Sequence, residues 1–208
     1  MNAADFGAVF PVSRETQERL AAFVALLTRW NMRINLVSRA SMEVVWERHI
    51  LDSAQLYPLA DETDGTWVDL GSGGGLPGLV IAILTAEDRR FHVTMVEADE
   101  RKCVFLQQVI STLGLPATIE NDRVERLASA TASVISARAL APLSQLLTMS
   151  QRFTAPETRL LFPKGRNLGA ELTAAREAWH IDARVVVNSA SRLRPFGKSN
   201  RVSGTVNC

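Results

Sequence analysis

Hydrophobic positions in the first 60 residues repeat with the period of an α-helix. From Ser13 to Trp30 apolar side chains recur every three or four residues, which predicts an amphipathic helix with Ser13 as its N-cap. A second helical stretch is predicted from about Ser41 to Leu59. The polar run over 61–65 then predicts an exposed turn and a boundary.

From residue 66 the pattern changes to short apolar strands that alternate with amphipathic helices. The predicted strands are Thr66–Leu70, His92–Glu97, Ala117–Glu120, Ser133–Ser136, Thr158–Pro163, Asp182–Val187 and Arg201–Asn207. The predicted helices are Leu76–Thr85, Glu100–Leu113, Pro142–Phe153 and Leu168–Trp179. This alternation favours a mainly parallel sheet covered on both faces. We therefore predict an N-terminal helical extension over 1–64 and an α/β domain over 65–208.

Composition fits an ordinary soluble globular protein and excludes several classes. The 208 residues are 47% hydrophobic and 22% charged, and the longest aliphatic run, Leu79 to Leu84, is far too short to span a membrane. No secretory signal is visible, so a cytoplasmic location is expected. Two cysteines, Cys103 and Cys208, and three scattered histidines give no disulfide framework and no metal-ligand spacing. No metal is expected.

Charge is distributed unevenly along the chain. The net charge is −3 over 1–65, −2 over 66–150 and +6 over 151–208. Of the 23 basic residues 20 are arginine, which suits phosphate recognition. The basic C-terminal quarter indicates an anionic partner, with an ordinary solvated face as the alternative.

A glycine-rich loop over 69–78 is the strongest local signal, and two ligand classes compete for it. The dinucleotide pattern G-x-G-x-x-G fits Gly73, Gly75 and Gly78. An acid-x-G-x-G-x-G signature, typical of class I S-adenosylmethionine-dependent methyltransferases, fits Asp69, Gly71, Gly73 and Gly75. Position favours the methyl donor, because Gly71 and Ser72 already break the strand before Gly73. An acidic residue at the strand end also suits a cationic sulfonium better than a pyrophosphate.

Polar residues follow the next two predicted strands. Glu97 ends the second strand, 19 residues after Gly78, where a carboxylate can accept both hydroxyls of a ribose. Because both competing ligands carry that ribose, Glu97 indicates a nucleoside without separating them. Asn121 and Asp122 follow the third strand, where a polar side chain could meet the adenine amino group.

These segments together resemble RsmG, also called GidB, the family of 16S ribosomal RNA guanine-N7 methyltransferases. The resemblance runs from about Trp30 to about Gly165, with a looser continuation. Besides the glycine loop, it is carried by Trp30-Asn31, Asn35-Leu36-Val37-Ser38, His49-Ile50-Leu51-Asp52-Ser53, Arg123-Val124-Glu125, Ser136-Ala137-Arg138-Ala139 and Pro163-Lys164-Gly165. Each segment is nonspecific alone, but their ordered combination is specific.

The resemblance implies a class I S-adenosylmethionine-dependent methyltransferase fold, Rossmann-like, with seven mostly parallel strands, the last antiparallel. The implied cofactor is S-adenosyl-L-methionine. The donor-binding residues expected are Asp69, Gly71, Ser72, Gly73, Leu76, Glu97, Val124, Glu125 and Arg138. Two features depart from the pattern: Glu97 stands where Asp is common, and the final strand is polar, with Gly204 inside it.

The implied substrate is N7 of one guanosine, position 527 in rRNA numbering, in the 530 loop of 16S rRNA. The implied partner is that RNA in the small ribosomal subunit or an assembly intermediate, and a monomer is expected. Because N7 carries a free lone pair, we expect no general base, only positioning. The positioning candidates are Asn35, His49 and Arg138, and the candidates for RNA phosphate contacts are Lys164, Arg166, Lys198 and Arg201.

The roles of two of these positions stay open. His49 and Asp52 are neighbours on one helix face and are expected first to brace the helix against the cofactor loop, and second to touch RNA. Arg138 could bind the methionine carboxylate, use its backbone for the cofactor or face the RNA phosphates.

Three rival functions also remain. A class I methyltransferase could act on another RNA, a protein or a small molecule. A nicotinamide-dependent oxidoreductase would need a hydride-site acid, which the sequence does not offer. A non-catalytic RNA-binding module would leave the donor loop unexplained.

Overall fold

Apolar strands assemble into one seven-stranded sheet in the computed structural model, which describes residues 1–61, 63–187 and 202–207. The strands are β1 Gly65–Leu70, β2 Phe91–Val96, β3 Ala117–Glu120, β4 Val134–Ala137, β5 Arg159–Lys164, β6 Asp182–Val187 and β7 Val202–Asn207. Their spatial order is β3-β2-β1-β4-β5-β7-β6. The first five run parallel, and β7 is antiparallel to both neighbours. The predicted α/β fold is confirmed.

Helices occupy most of the predicted positions between these strands. Those between strands are α5 Gly78–Leu84, α6 Glu100–Leu113, α7 Leu143–Ser150 and α8 Leu168–Ala175. Four more precede β1: α1 Ala3–Val9, α2 Arg14–Asn31, α3 Arg39–Met42 and α4 Asp52–Ala54. Helix α2 begins where the sequence predicts, because the Ser13 hydroxyl oxygen accepts a hydrogen bond from the Thr16 amide at 3.0 Å. The bounds differ from the predictions by a few residues at most helix ends, as expected for helix termini.

The helix predicted from Ser41 to Leu59 is wrong as a single element. The structure has α3, a π-helix over Trp46–Leu51, α4 and a 3₁₀ turn over Tyr57–Ala60. A π-helix has a wider turn than an α-helix and changes which side chains share a face. Pro58 lacks an amide hydrogen and cannot continue an α-helix from the preceding turn. The sequence analysis also missed α1, which is short and is capped by Asn2 and Asp5.

The core has two layers, one on each face of the sheet. Trp67 and Val68 point to opposite faces, as successive strand residues must. Helices α1, α2, α5 and α6 pack on the Trp67 face, and α7 and α8 pack on the other. Phe6 and Phe23 from the first 64 residues join the same core as α5, so the N-terminal segment is bound to the sheet by shared apolar packing.

The polar strand β7 lies inside the sheet rather than at its edge. Its backbone pairs with β5 on one side and with β6 on the other. Backbone pairing therefore places this strand even though its sequence has a weak strand pattern. Within the described residues no helix is both long enough and apolar enough to cross a membrane.

Candidate active site

Loops at the carboxyl ends of the parallel strands surround a cavity of about 920 Å³. The wall comes from the segments that follow β1, β2, β3, β4 and β5, and from the π-helix of the N-terminal segment. Open α/β sheets bind ligands at this edge. The predicted donor-binding residues that line it are Gly71, Ser72, Gly73, Leu76, Glu97, Val124, Glu125 and Arg138.

Asp69 is fully buried and forms hydrogen bonds with the glycine loop. Its carboxylate accepts hydrogen bonds from the Ser136 hydroxyl at 2.7 Å, the Ser72 hydroxyl at 2.7 Å and the Gly78 amide at 3.1 Å. Trp67 in turn donates its indole N–H to the Ser136 oxygen at 2.9 Å. Asp69 thus lies outside the cavity wall, and its hydrogen bonds are with the loop and with β4 rather than with the space for the methyl donor.

Burial and hydrogen bonding act in opposite directions on Asp69. Burial raises the pKa of this carboxyl from 3.8 to about 6, while the bonds from Ser136, Ser72 and Gly78 and the charge of Arg138 act to lower it. All three bonded groups donate, so they fit an ionised carboxylate. Gly78 has no room for a side chain, because a Cβ there would lie 2.8 Å from the Asp69 Oδ2 atom.

Glu97 follows β2 and lies in the cavity wall, where only 8% of it is exposed. Its two carboxylate oxygens accept the Gly73 amide and the Asp99 amide, each at 2.8 Å. Each oxygen keeps a lone pair for a further donor such as a ribose hydroxyl. Of the two polar residues after β3, Asn121 donates its side-chain amide to the Glu97 carbonyl at 3.1 Å, whereas Asp122 lines the cavity.

The lining of this wall fits an adenosyl ligand. Gly71 and Gly73 have positive φ angles of 66° and 56°, which leave backbone rather than side chain facing the ligand space. Leu76 and Val124 add apolar surface, and the Glu97 carboxylate supplies the acceptor that a ribose needs. The residues that line the cavity therefore fit S-adenosylmethionine.

Arg138 follows β4 and joins it to the N-terminal segment. Its Nη2 lies 3.0 Å from the His49 Nδ1 atom, and its Nη1 donates to the Arg48 carbonyl at 3.2 Å. A guanidinium group has no acceptor, so Nδ1 must receive the bond and the imidazole is the neutral tautomer protonated at Nε2. His49 and Asp52, each 6% exposed, line the cavity beside it. The sequence analysis did not foresee this contact between Arg138 and the π-helix.

Lys164 differs from the exposed phosphate-binding cation that was expected. Its ammonium donates to the Ala141 carbonyl and to the Glu171 carboxylate, both at 2.8 Å, and its side chain is only 9% exposed. Glu171 also accepts the Leu143 amide at 2.8 Å. Lys164 lies in the cavity wall, and both hydrogen bonds of its ammonium go to protein atoms.

The remaining predicted residues that the structure describes, Arg166 and Asn35, lie outside the wall. Arg166 is exposed beyond it, and Lys198 and Arg201 fall outside the described residues. Asn35 is exposed, and its neighbours Leu36 and Val37 reach the cavity instead. That turn is held by Asn31, whose amide oxygen accepts the Leu36 and Val37 amides at 2.9 and 3.0 Å.

Three cations in the wall were absent from the predicted phosphate contacts: Arg48, Lys102 and Arg123. Lys102 and Arg123 follow β2 and β3, so their places after successive parallel strands could have indicated them. Arg48 could not be found in this way, because it reaches the cavity only through the π-helix. In the part of the chain that the structure describes, no group of His, Cys, Asp and Glu could hold a metal ion.

Solved structures share the fold at low sequence identity. A putative O-methyltransferase from Klebsiella pneumoniae covers 100% of this chain with 96% of its own length, at a TM-score of 0.62 and 14% identity. A SAM-dependent methyltransferase from Aquifex aeolicus covers 89% of this chain with 98% of its own length, at a TM-score of 0.59 and 14% identity.

Sequence relatives are much closer. A Ribosomal RNA small subunit methyltransferase G from Parvibaculum lavamentivorans is 47% identical over 98% of this chain and 90% of its own length. A relative of the same name from Rhodospirillum centenum is 48% identical over 97% of this chain and 90% of its own length. The profile of the GidB family, described as rRNA small subunit methyltransferase G, matches residues 16–196. The chain therefore belongs to the rRNA small subunit methyltransferase G family, with S-adenosylmethionine as its cofactor.

Proposed function

We propose that this protein methylates N7 of one guanosine in the 530 loop of small-subunit 16S rRNA, at position 527, and does so in the cytoplasm. The observation that carries the proposal is the match to rRNA small subunit methyltransferases over nearly the whole chain, together with the donor-binding cavity. S-adenosylmethionine, when bound, supplies an electrophilic methyl group on a sulfonium sulfur.

The cavity has two halves with different chemistry. We assign 71–74, Leu76, 96–98 and 122–125 to the donor half, and 138–142, 163–165 and Glu171 to the target half. Arg138, which the family resemblance places at the donor, is included in the target half because it bonds to His49. Together they enclose about 920 Å³, near the top of the range of roughly 300–1,000 Å³ for small-molecule sites. We infer that the second half receives the target base. Arg48, Lys102 and Arg123 in the wall supply positive charge for the RNA backbone.

The chemistry of N7 explains what the protein must do. The N7 lone pair is unprotonated at neutral pH, so no side chain has to remove a proton before the attack. The protein has to hold the two reactants in line and keep water away from them. Glu97, fixed by two backbone amides, fits the task of holding the ribose of the donor in a single place.

The accessible form of the RNA follows from the position of N7. This atom lies on the Hoogsteen edge, which the deep and narrow major groove of an A-form duplex hides. We therefore propose that the substrate is a conformer in which the target guanosine is exposed, in the small subunit or in an assembly intermediate. Mature subunits and naked rRNA should differ as substrates.

The test is methyl transfer from radiolabelled S-adenosylmethionine to small-subunit particles and to rRNA from cells that lack this gene. Strand scission at 7-methylguanosine then maps the product. One labelled guanosine in the 530 loop supports the proposal. Donor binding without labelled RNA would overturn the substrate, and a label in another RNA or in protein would favour the rival methyltransferase functions.

A further inference from the structure

The segment after β4 brings an exposed apolar side chain into the cavity wall. Leu140 is 39% exposed, and among the described residues it is the one exposed large hydrophobic side chain that lines the cavity. Pro142, Met149 and Pro163 lie in the same wall, which gives this half of the cavity apolar surface. An apolar side chain held open to a cavity fits an apolar ligand surface.

Gly71 fixes the place of Leu140 relative to the donor loop. A Cβ atom at Gly71 would lie 2.6 Å from the Leu140 Cδ1 atom, which is closer than real Cβ contacts. The Leu140 side chain therefore packs directly on the backbone of the donor loop. It touches the donor loop on one side and remains 39% exposed in the cavity wall.

The backbone that presents Leu140 is strained and is held by its neighbours. Ala139 has a φ of 56°, one of two positive values at non-glycine residues in the described part of the chain. On the other side of Leu140, the Ala141 carbonyl accepts a hydrogen bond from the Lys164 ammonium, and the Leu143 amide at the start of α7 donates to the Glu171 carboxylate. Strained conformations of this kind persist only where surrounding contacts impose them, and they concentrate at ligand sites.

We propose that Leu140 contacts the face of the target base and sets its N7 edge beside the methyl group of the donor, and that Lys164 and Glu171 are positioning residues for it. This proposal rests on the proposed function. A guanine ring has apolar faces and polar edges, so an aliphatic side chain can pack on the face without competing for N7. Packing there excludes water and limits the base to orientations from which transfer can occur.

The experiment compares Leu140→Ala with the unmodified protein in two measurements. Donor affinity is measured by calorimetry, and kcat and KM are measured with undermethylated small-subunit particles. We expect Leu140→Ala to bind the donor within about threefold of the unmodified protein and to lose about tenfold in kcat/KM for RNA. Leu140→Met, which restores apolar volume, should recover most of that loss.

Val104→Ala is the matched control, because Val104 is also an exposed apolar residue, 53% exposed, but lies outside the cavity wall. It should leave both measurements unchanged. Transfer by Leu140→Ala at the unmodified rate would overturn the inference. Equal losses in donor affinity and in transfer would overturn it too, since Leu140 would then be part of the donor site alone. If the unmodified protein binds the donor but labels no rRNA, the proposed function fails first.

The positioning role of Lys164 is tested by Lys164→Met. This substitution removes the ammonium that donates a hydrogen bond to the Ala141 carbonyl, so kcat should fall about fivefold or more. The affinity for S-adenosylmethionine should stay within about threefold of that of the unmodified protein. Glu171→Gln keeps an oxygen that can accept the Leu143 amide, and its loss should be smaller. A purely structural role for Lys164 predicts instead a lower melting temperature with unchanged kcat in the folded fraction.

Discussion

The donor half and the target half of the cavity are built in different ways. The donor half comes from loops after three neighbouring strands, and the Gly78 and Gly73 amides bond to the Asp69 and Glu97 carboxylates, 9 and 24 residues away. The target half depends on side chains that meet across long stretches of chain, as when Arg138 meets His49, 89 residues away. On the assignment proposed here, backbone amides and the Glu97 carboxylate fix the donor half, whereas side chains from several elements fix the target half.

This difference predicts separable defects. Changes in the donor half should weaken cofactor binding and, through it, activity. Changes in the target half should leave the cofactor bound and affect the transfer step. Of the four predictions that follow, those on Glu97 and on Arg138 with His49 test that separation directly, and those on Asp69 and Ala139 test the contacts and the backbone angle that support each half.

Glu97→Gln should weaken donor affinity about a hundredfold. The substitution replaces one carboxylate oxygen by an NH₂ group, which faces either the Gly73 or the Asp99 amide and can accept from neither. It also removes the charge from hydrogen bonds to the ribose, each worth about 1.5–3 kcal/mol. Calorimetric titration with S-adenosylmethionine measures the change. Glu120→Gln, an exposed residue at the end of β3 and outside the wall, is the control, and equal affinities for the two variants would contradict the assignment of Glu97.

Asp69 should give stability a specific pH dependence. Its folded pKa of about 6 lies above the unfolded value of 3.8, so its contribution to the free energy of unfolding is fully present below about pH 3.8 and is lost as the pH rises through about 6. The shift of about two pH units corresponds to about 3 kcal/mol. Asp69→Asn lacks this titration. Its free energy of unfolding should therefore rise relative to that of the unmodified protein between pH 4 and pH 7, by up to about 3 kcal/mol. Denaturant unfolding at several pH values measures it, and parallel pH curves would show that Asp69 does not titrate in this way.

Arg138 and His49 should be energetically coupled. Arg138→Met and His49→Phe each remove one partner of the bond between β4 and the π-helix, so a double-mutant cycle should give about 1.5 kcal/mol of coupling in the free energy of unfolding. The same variants should reduce transfer to RNA more than donor affinity, because the bond lies in the target half. A coupling energy near zero would mean that the bond between Arg138 and His49 does not contribute to the free energy of unfolding.

Ala139 should give the smallest effect and the most specific one. Glycine adopts a positive φ readily, so Ala139→Gly should change the free energy of unfolding by less than about 1 kcal/mol. Valine is branched at Cβ and fits that backbone poorly, so Ala139→Val should destabilise the fold by about 1–2 kcal/mol. Thermal unfolding of Ala139→Gly and Ala139→Val measures the difference between the two variants. Similar losses for both variants would attribute the cost to packing rather than to the backbone angle.

How much of the site could be predicted differs between the two halves. Gly71, Gly73 and Glu97, which were predicted from their positions after successive strands, line the cavity, and so does Val124, which the family resemblance implied. Asp69 was expected to meet the donor but is buried under the loop, since a strand-end pattern does not show which way a carboxylate turns. Lys164 was expected in solvent, and only the folded chain brings Glu171 and the Ala141 carbonyl to it.

The amino-acid sequence by itself determined the α/β class, the order of most strands and helices along the chain, and the place of the cofactor loop. Hydrophobic periodicity and glycine placement are local properties, and they limit the backbone before any distant contact forms. The tertiary structure alone decided that β7 enters the sheet beside β5, that a π-helix carries His49 to Arg138, and that Leu140 packs on Gly71. These features join residues far apart in the chain, and their energies exist only after the backbone has folded.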